Sequence, residues 1–116
     1  MDVSEQEISR LRGRLREDPR SLAFVPLAEA LRRRGRSAEA LAIVRAGLRH
    51  RPDHVAARVV LARLHLDAGA RTLALGVLEE VVKADQENVA AGALLGELWI
   101  AEGRLREARE LLQRLA

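Results

Sequence analysis

Cysteine is absent from this 116-residue chain, which removes disulfides and thiolate metal sites from consideration. A reducing compartment is compatible with that. Tyrosine is also absent, and there is one Phe and one Trp, so the aromatic residues that favour strands are nearly missing. Three prolines and eight glycines are too few for a loop-rich or sandwich fold. No apolar run approaches the roughly 18 residues needed to span a bilayer. The opening Met1–Arg10 stretch, MDVSEQEISR, carries acids where a signal peptide would be basic and lacks an apolar core. A cytoplasmic location without a membrane span is therefore expected. Lysine occurs once against nineteen arginines, so the pI of 10.8 overstates a formal net charge of only +3.

What remains is rich in Leu, Ala, Arg and Glu, all good helix formers. Hydrophobic residues make up 48% of the chain and charged residues 32%, enough to fold one modest core. The expected class is all-α. Charge is unevenly spread: residues 1–51 hold twelve arginines against seven acids, whereas residues 52–116 hold eight basic residues against ten acids. Such asymmetry keeps a nucleic-acid or acidic-ligand face on the Arg-rich N-terminal half as a rival reading.

The chain repeats. Gly35, Gly69 and Gly103 lie 34 residues apart, and the same shift aligns Leu27, Leu61 and Leu95. It also aligns the small residues Ala28, Ala62 and Gly96, then Ala40, Ala74 and Ala108, then the apolar Val44, Leu78 and Leu112. Leu31, His65 and Trp99 match in bulk only. Each unit reads as helix, glycine turn, helix: Ser21–Arg34 with Ser37–Arg49, His54–Ala68 with Arg71–Ala84, and Asn88–Glu102 with Leu105–Leu115. Glycine suits the turn because it enters the left-handed region without a Cβ penalty. Small residues let paired helices approach, and Leu27, Leu31, Val44 and their equivalents form the core. Residues 4–17 predict a seventh helix, started by a Ser4-x-x-Glu7 capping box and striped by Ile8, Leu11 and Leu15. Pro26 predicts either a helix start near Val25 or a kink.

The 34-residue unit, the Gly-Arg-Ser-Ala-Glu-Ala run at 35–40, the Gly-Arg-Leu-Arg-Glu-Ala run at 103–108 and Arg51-Pro52-Asp53 between units resemble the tetratricopeptide repeat (TPR) family. Departures are Arg58 and Gly92 where the first unit has Phe24, and Gln86 in place of a second Pro52. The resemblance implies a right-handed superhelical stack of antiparallel helix hairpins of about seven helices. Residues 1–20 would cap three TPR units at 21–54, 55–88 and 89–116. TPR arrays commonly close with a further solvating helix. Its absence implies a fragment, or an end face (Leu94, Leu98, Leu111, Leu115) covered by a partner or by weak homo-oligomerisation.

Chemistry is sparse. His50 and His54 flank Pro52 without an acid or cysteine to complete a metal site, and His65 falls at a core position. No nucleophile elbow, phosphate loop, zinc-protease or paired-carboxylate motif occurs. The Gly92-x-x-x-Gly96 spacing points to close helix packing in a soluble setting. No enzyme activity, cofactor or metal is expected.

The resemblance instead implies a concave groove on the first helix of each unit, occupied by a protein or peptide partner. The stripe beside the core supplies the predicted binding residues: Leu22, Val25 and Glu29; Ala56, Val59, Arg63 and Leu66; Ala93, Glu97 and Ile100. Arg32, Arg33, Asp67, Ala90 and Ala101 complete it. Nine of these fifteen are apolar, which suits a helical or extended apolar segment. Glu29, Arg63 and Glu97 predict ion pairs between neighbouring helices. The Lys, Arg and Asn clamp by which chaperone-binding members grip a C-terminal carboxylate is replaced by Val25, Glu29, Val60, Ala90 and Leu94. The nucleic-acid rival would use Arg10–Arg20 and Arg32–Arg36, but no aromatics stand beside them for stacking.

Overall fold

A computed structural model describes residues 3–116, so the first two residues of the expected 1–20 cap lie outside the described residues. Seven helices follow in order: α1 (Val3–Glu17), α2 (Phe24–Arg33), α3 (Ser37–His50), α4 (Val55–Asp67), α5 (Arg71–Ala84), α6 (Val89–Ala101) and α7 (Leu105–Leu115). Among the described residues there is no strand. The helices pair as the hairpins α2/α3, α4/α5 and α6/α7, stacked into a body of 46 × 24 × 24 Å with α1 laid against α2.

The period has a backbone cause. Gly35, Gly69 and Gly103 have φ of 76°, 76° and 81°, and no other described residue has positive φ. At each turn the amide of the next residue reaches back five positions: Arg36 N–H donates to Leu31 O, Ala70 to His65 O and Arg104 to Trp99 O, at 2.9, 2.8 and 2.8 Å. The carbonyl at 31, 65 and 99 thus closes the helix C-terminus. That requirement says nothing of the side chain, so Leu, His and Trp alternate there.

The small residues behave as expected. Ala28, Ala40, Ala62 and Ala74 are fully buried, and Ala108 is 1% exposed. A Cβ on Gly92 would stand 2.2 Å from a methyl of Leu115, and one on Gly96 would stand 3.0 Å from a methyl of Leu112. The glycine pair therefore sets the close approach of α7 to α6.

Between units the chain turns at Ser21, His54 and Asn88, whose amides donate to Asp18 O, Arg51 O and Asp85 O. With or without a proline the turn holds the same bond: Asp18 Oδ1, before Pro19, accepts from the Arg20 amide, and Asp85 Oδ1, before Gln86, accepts from the Glu87 amide. His54 and Asn88 cap α4 and α6, accepting from the amides of Ala57 and Ala91 at 3.2 and 2.8 Å. His54 also lies edge-on to Phe24, with ring centroids 5.7 Å apart. Its Nδ1 is thus committed to a structural bond.

Several expectations change. Ser4 lies inside α1 rather than before it, and the Glu7 carboxylate accepts from Arg10 at 2.8 Å in place of a capping box. Of the two alternatives for Pro26, the structure has the helix start: α2 begins at Phe24, Pro26 is its third residue, within the first turn where its missing N–H leaves no bond broken, and Leu22 O accepts from Val25 instead. Of the core set, Leu61, His65 and Trp99 are half-buried, and Leu112 is 37% exposed while Leu111 is 1% exposed. Val44 and Leu78 are fully buried by the following hairpin, whereas Leu112 has α6 on one side only. The predicted end face is corrected likewise. Leu98 and Leu111 are buried, Leu94 and Leu115 are half-buried, and the exposed apolar residues of α7 are Leu105 and Leu112.

The core divides in two. Ile8, Leu11, Leu27, Leu31 and Val44 form one cluster, and Leu78, Val81, Leu95 and Leu111 form the other. Helix α4 feeds both, giving Val60 and Leu64 to the first and Val59 and Ala62 to the second. Ion pairs bind α1 to the first hairpin: Arg12 with Glu39 at 2.6 Å, and Arg34 and Arg36 with Glu5 at 3.0 and 3.5 Å.

Candidate partner-binding groove

The first helices of the three units, α2, α4 and α6, line an open surface cavity of about 600 Å³. Its apolar wall is Val25, Pro26, Val55, Ala56, Val59, Val60 and Ala90, and its polar lining is Glu29, Arg33, Arg63 and Asn88. The lining follows α2 from Val25 to its last residue, Arg33, follows α4 from Val55 to Arg63, and touches only the start of α6 at Asn88 and Ala90.

Of the fifteen residues of the predicted stripe, the cavity brings together Val25, Glu29, Arg33, Ala56, Val59, Arg63 and Ala90. Leu22 (51% exposed), Leu66, Ala93, Glu97 and Ile100 (48% exposed) fall outside its lining. Pro26, Val55 and Asn88 were not among the predicted groove residues, and Val60 was named there only as a clamp position. A readable signal for Asn88 was its place 34 residues after the His54 cap. Val59 holds two positions at once: it lines the cavity, yet it is only 6% exposed and packs in the second core cluster. It is therefore not on a face the core can spare.

One carboxylate organises the polar side. Glu29 accepts from Arg32 Nη2 at 2.8 Å, Arg32 Nε at 3.0 Å and Arg33 Nε at 3.2 Å, and Arg63 Nη1 stands 3.7 Å away. Arg32 bridges onward to Asp67 at 3.0 Å, tying α2 to α4. The expected Glu29–Arg63 pair is formed. The expected Arg63–Glu97 pair is not, because Arg63 turns toward α2 and Glu97 remains exposed.

The hydrogen bond from Arg32 holds the Glu29 carboxyl below its usual value of 4.5, against the opposing effect of burial. A depressed carboxyl contributes stability above its usual value, and that contribution is lost as pH falls through the folded value. Glu29→Gln should thus lower the urea midpoint near neutral pH. The gap to wild type should close as the solution is acidified below about pH 4.5.

The arginines of the rival reading are largely engaged. Arg10, Arg12, Arg32, Arg33, Arg34 and Arg36 each face a carboxylate within 3.2 Å. Among the described residues no group of three metal-ligating side chains gathers, and no helix is long and apolar enough to cross a membrane.

Two tetratricopeptide repeat family models match the chain, one over residues 25–86 and the other over residues 66–116. No curated protein matches it. Three similar solved structures are of MamA. A MamA RS-1 ArsTM double mutant has a TM-score of 0.77 at 26% identity, over 97% of this chain and 64% of that one. MamA from residue 41 to its end, from Desulfovibrio magneticus RS-1, has a TM-score of 0.79 at 15% identity, over 97% and 64%. A further crystal structure of MamA has a TM-score of 0.75 at 15% identity, over 99% and 73%. This chain thus spans 64% of the length of the first two. At 15% identity the likeness is one of fold. With one family model covering more than half of it, the chain belongs to the tetratricopeptide repeat family.

Proposed function

We propose that this chain is a scaffold or adaptor whose groove across α2, α4 and the start of α6 receives a helical or extended segment of a partner protein. Tetratricopeptide repeats serve as protein-interaction scaffolds, and the reading adds a place. The observation that carries it is the 600 Å³ cavity, walled mainly by Val and Ala, on the face where successive first helices meet. A wall of that composition gains from an apolar side chain: each one fully buried there stabilises a complex by about 1.5–3 kcal/mol.

Ala56 and Ala90 are exposed and line the cavity without serving the core. Arginine at both fills the groove from its rim. The double variant Ala56→Arg, Ala90→Arg should keep its helicity and melting temperature while losing its partner. A photo-reactive residue at position 56 should cross-link that partner, and one at Arg49 on α3 should not. Cross-linking from position 49 alone would place the interface elsewhere.

A further inference from the structure

The groove presents hydrogen-bond donors and almost no acceptors. Among the described side chains lining it, the polar ones are Glu29, Arg33, Arg63 and Asn88. Glu29 already takes three hydrogen bonds and a further guanidinium contact. The Oδ1 of Asn88 is spent on the Ala91 amide. What remains is the Asn88 amide N–H₂, the terminal nitrogens of Arg33 and the guanidinium of Arg63, groups that donate and cannot accept. Arg33 is held only through Nε, and its side chain is 72% exposed. Three guanidinium groups surround Glu29, and only Arg32 has a second carboxylate, Asp67. Positive charge is left over on the groove side.

Resting on the groove reading above, we infer that the occupant is an internal segment of a partner that carries an acidic side chain flanked on both sides by apolar residues. The carboxylate completes the donor set of Arg33 and Arg63, and hydrogen bonds to a charged acceptor are the stronger kind. The segment is internal because apolar surface lies on both sides of the arginine along α4. On the near side, the exposed Ala56 and half-buried Val25 line the groove before Arg63. On the far side, just beyond its lining, stand half-buried Leu66 one turn after Arg63 and half-exposed Ile100 at the corresponding position of α6. A chain terminus seated at Arg63 would leave one of these apolar stretches uncovered. Glu29 has two hydrogen bonds from Arg32 that do not involve Arg33 or Arg63.

The test is selection of short random peptides, displayed between fixed flanking sequences so that neither end is free, against the full chain. Enriched peptides should share an Asp or Glu with apolar residues on both sides. Replacing that acid by its amide in a synthetic copy should weaken binding roughly tenfold. Raising the salt concentration should narrow that difference. Selection against Arg33→Gln with Arg63→Gln should still enrich apolar peptides but without the acid, and the amide replacement needs no protein variant at all. Apolar enrichment lacking an acid on the wild-type chain overturns this inference while the groove reading stands. Enrichment only from a second library with free C-terminal carboxylates overturns it in favour of a chain end. Enrichment unchanged by Ala56→Arg with Ala90→Arg overturns the groove reading itself.

Discussion

Val59→Glu is expected to cost about 1–3 kcal/mol of folding stability, because a longer, charged side chain replaces one packed in the core, even with Arg63 one turn away. Val59 is 6% exposed and packs in a cluster with Ala62, Leu78 and Leu95. The expected readout is a loss of helical circular dichroism or a large drop in the urea midpoint. Ala56→Glu, three residues earlier at the exposed mouth of the same groove, should leave both nearly unchanged. A stable, fully helical Val59→Glu variant would show that position 59 opens freely to the groove. A glutamate at 59 that abolished partner capture would report on folding before it reported on binding.

The second large effect is at the start of the array. Phe24→Ala should destabilise by about 3–5 kcal/mol, the range for removing a buried aromatic ring. Phe24 is 3% exposed. Its ring fills the space left by Gly47, where an added Cβ would stand 2.1 Å away, and it meets the edge of the His54 capping ring. The loss therefore opens a cavity at the junction of α2, α3 and α4. Equilibrium urea unfolding followed by circular dichroism measures it, and Phe24→Leu should lose much less. Equal losses for the two variants would mean that the ring's volume is not what holds the junction.

The period was the most legible feature. Three glycines at one spacing reported three left-handed turns, and the alanines at 40, 74 and 108 reported three close helix contacts. Leu112 was misread because the alignment assumes that every unit has a following neighbour. Its equivalents Val44 and Leu78 are buried by the next hairpin, and the last unit has none among the described residues. The groove was half legible for a related reason. A stripe argument assigns one face of a helix to the core and the next to the ligand, which works for α2, flanked on one side by the cap. Helix α4 sits between two clusters and buries Ala57, Val59, Val60, Ala62 and Leu64, residues that encircle it. Its charged residues Arg58, Arg63 and Asp67 are spread among the apolar ones instead of gathering on one side, so no single face declares itself. The arrangement around Glu29 was legible in part. The 34-residue shift predicts its contact with Arg63 across α2 and α4, whereas the hydrogen bonds from Arg32 and Arg33 and the bridge from Arg32 to Asp67 left no trace in that row.

The double duty of Val59 and Val60 has an evolutionary side. Each lines the proposed groove and also belongs to one of the two clusters that α4 joins, so under that proposal a change that retuned ligand preference at either would be paid in packing. The middle of the groove is for that reason the part least free to drift. Descendants of such a chain that acquire new partners have their room for variation at the margins: Ala56 and Ala90, whose side chains touch no core cluster, and the Arg33 and Arg63 pair. New binding preferences would then accumulate around an unchanging valine floor, with the lineage keeping the shape of its groove while its taste in ligands shifts.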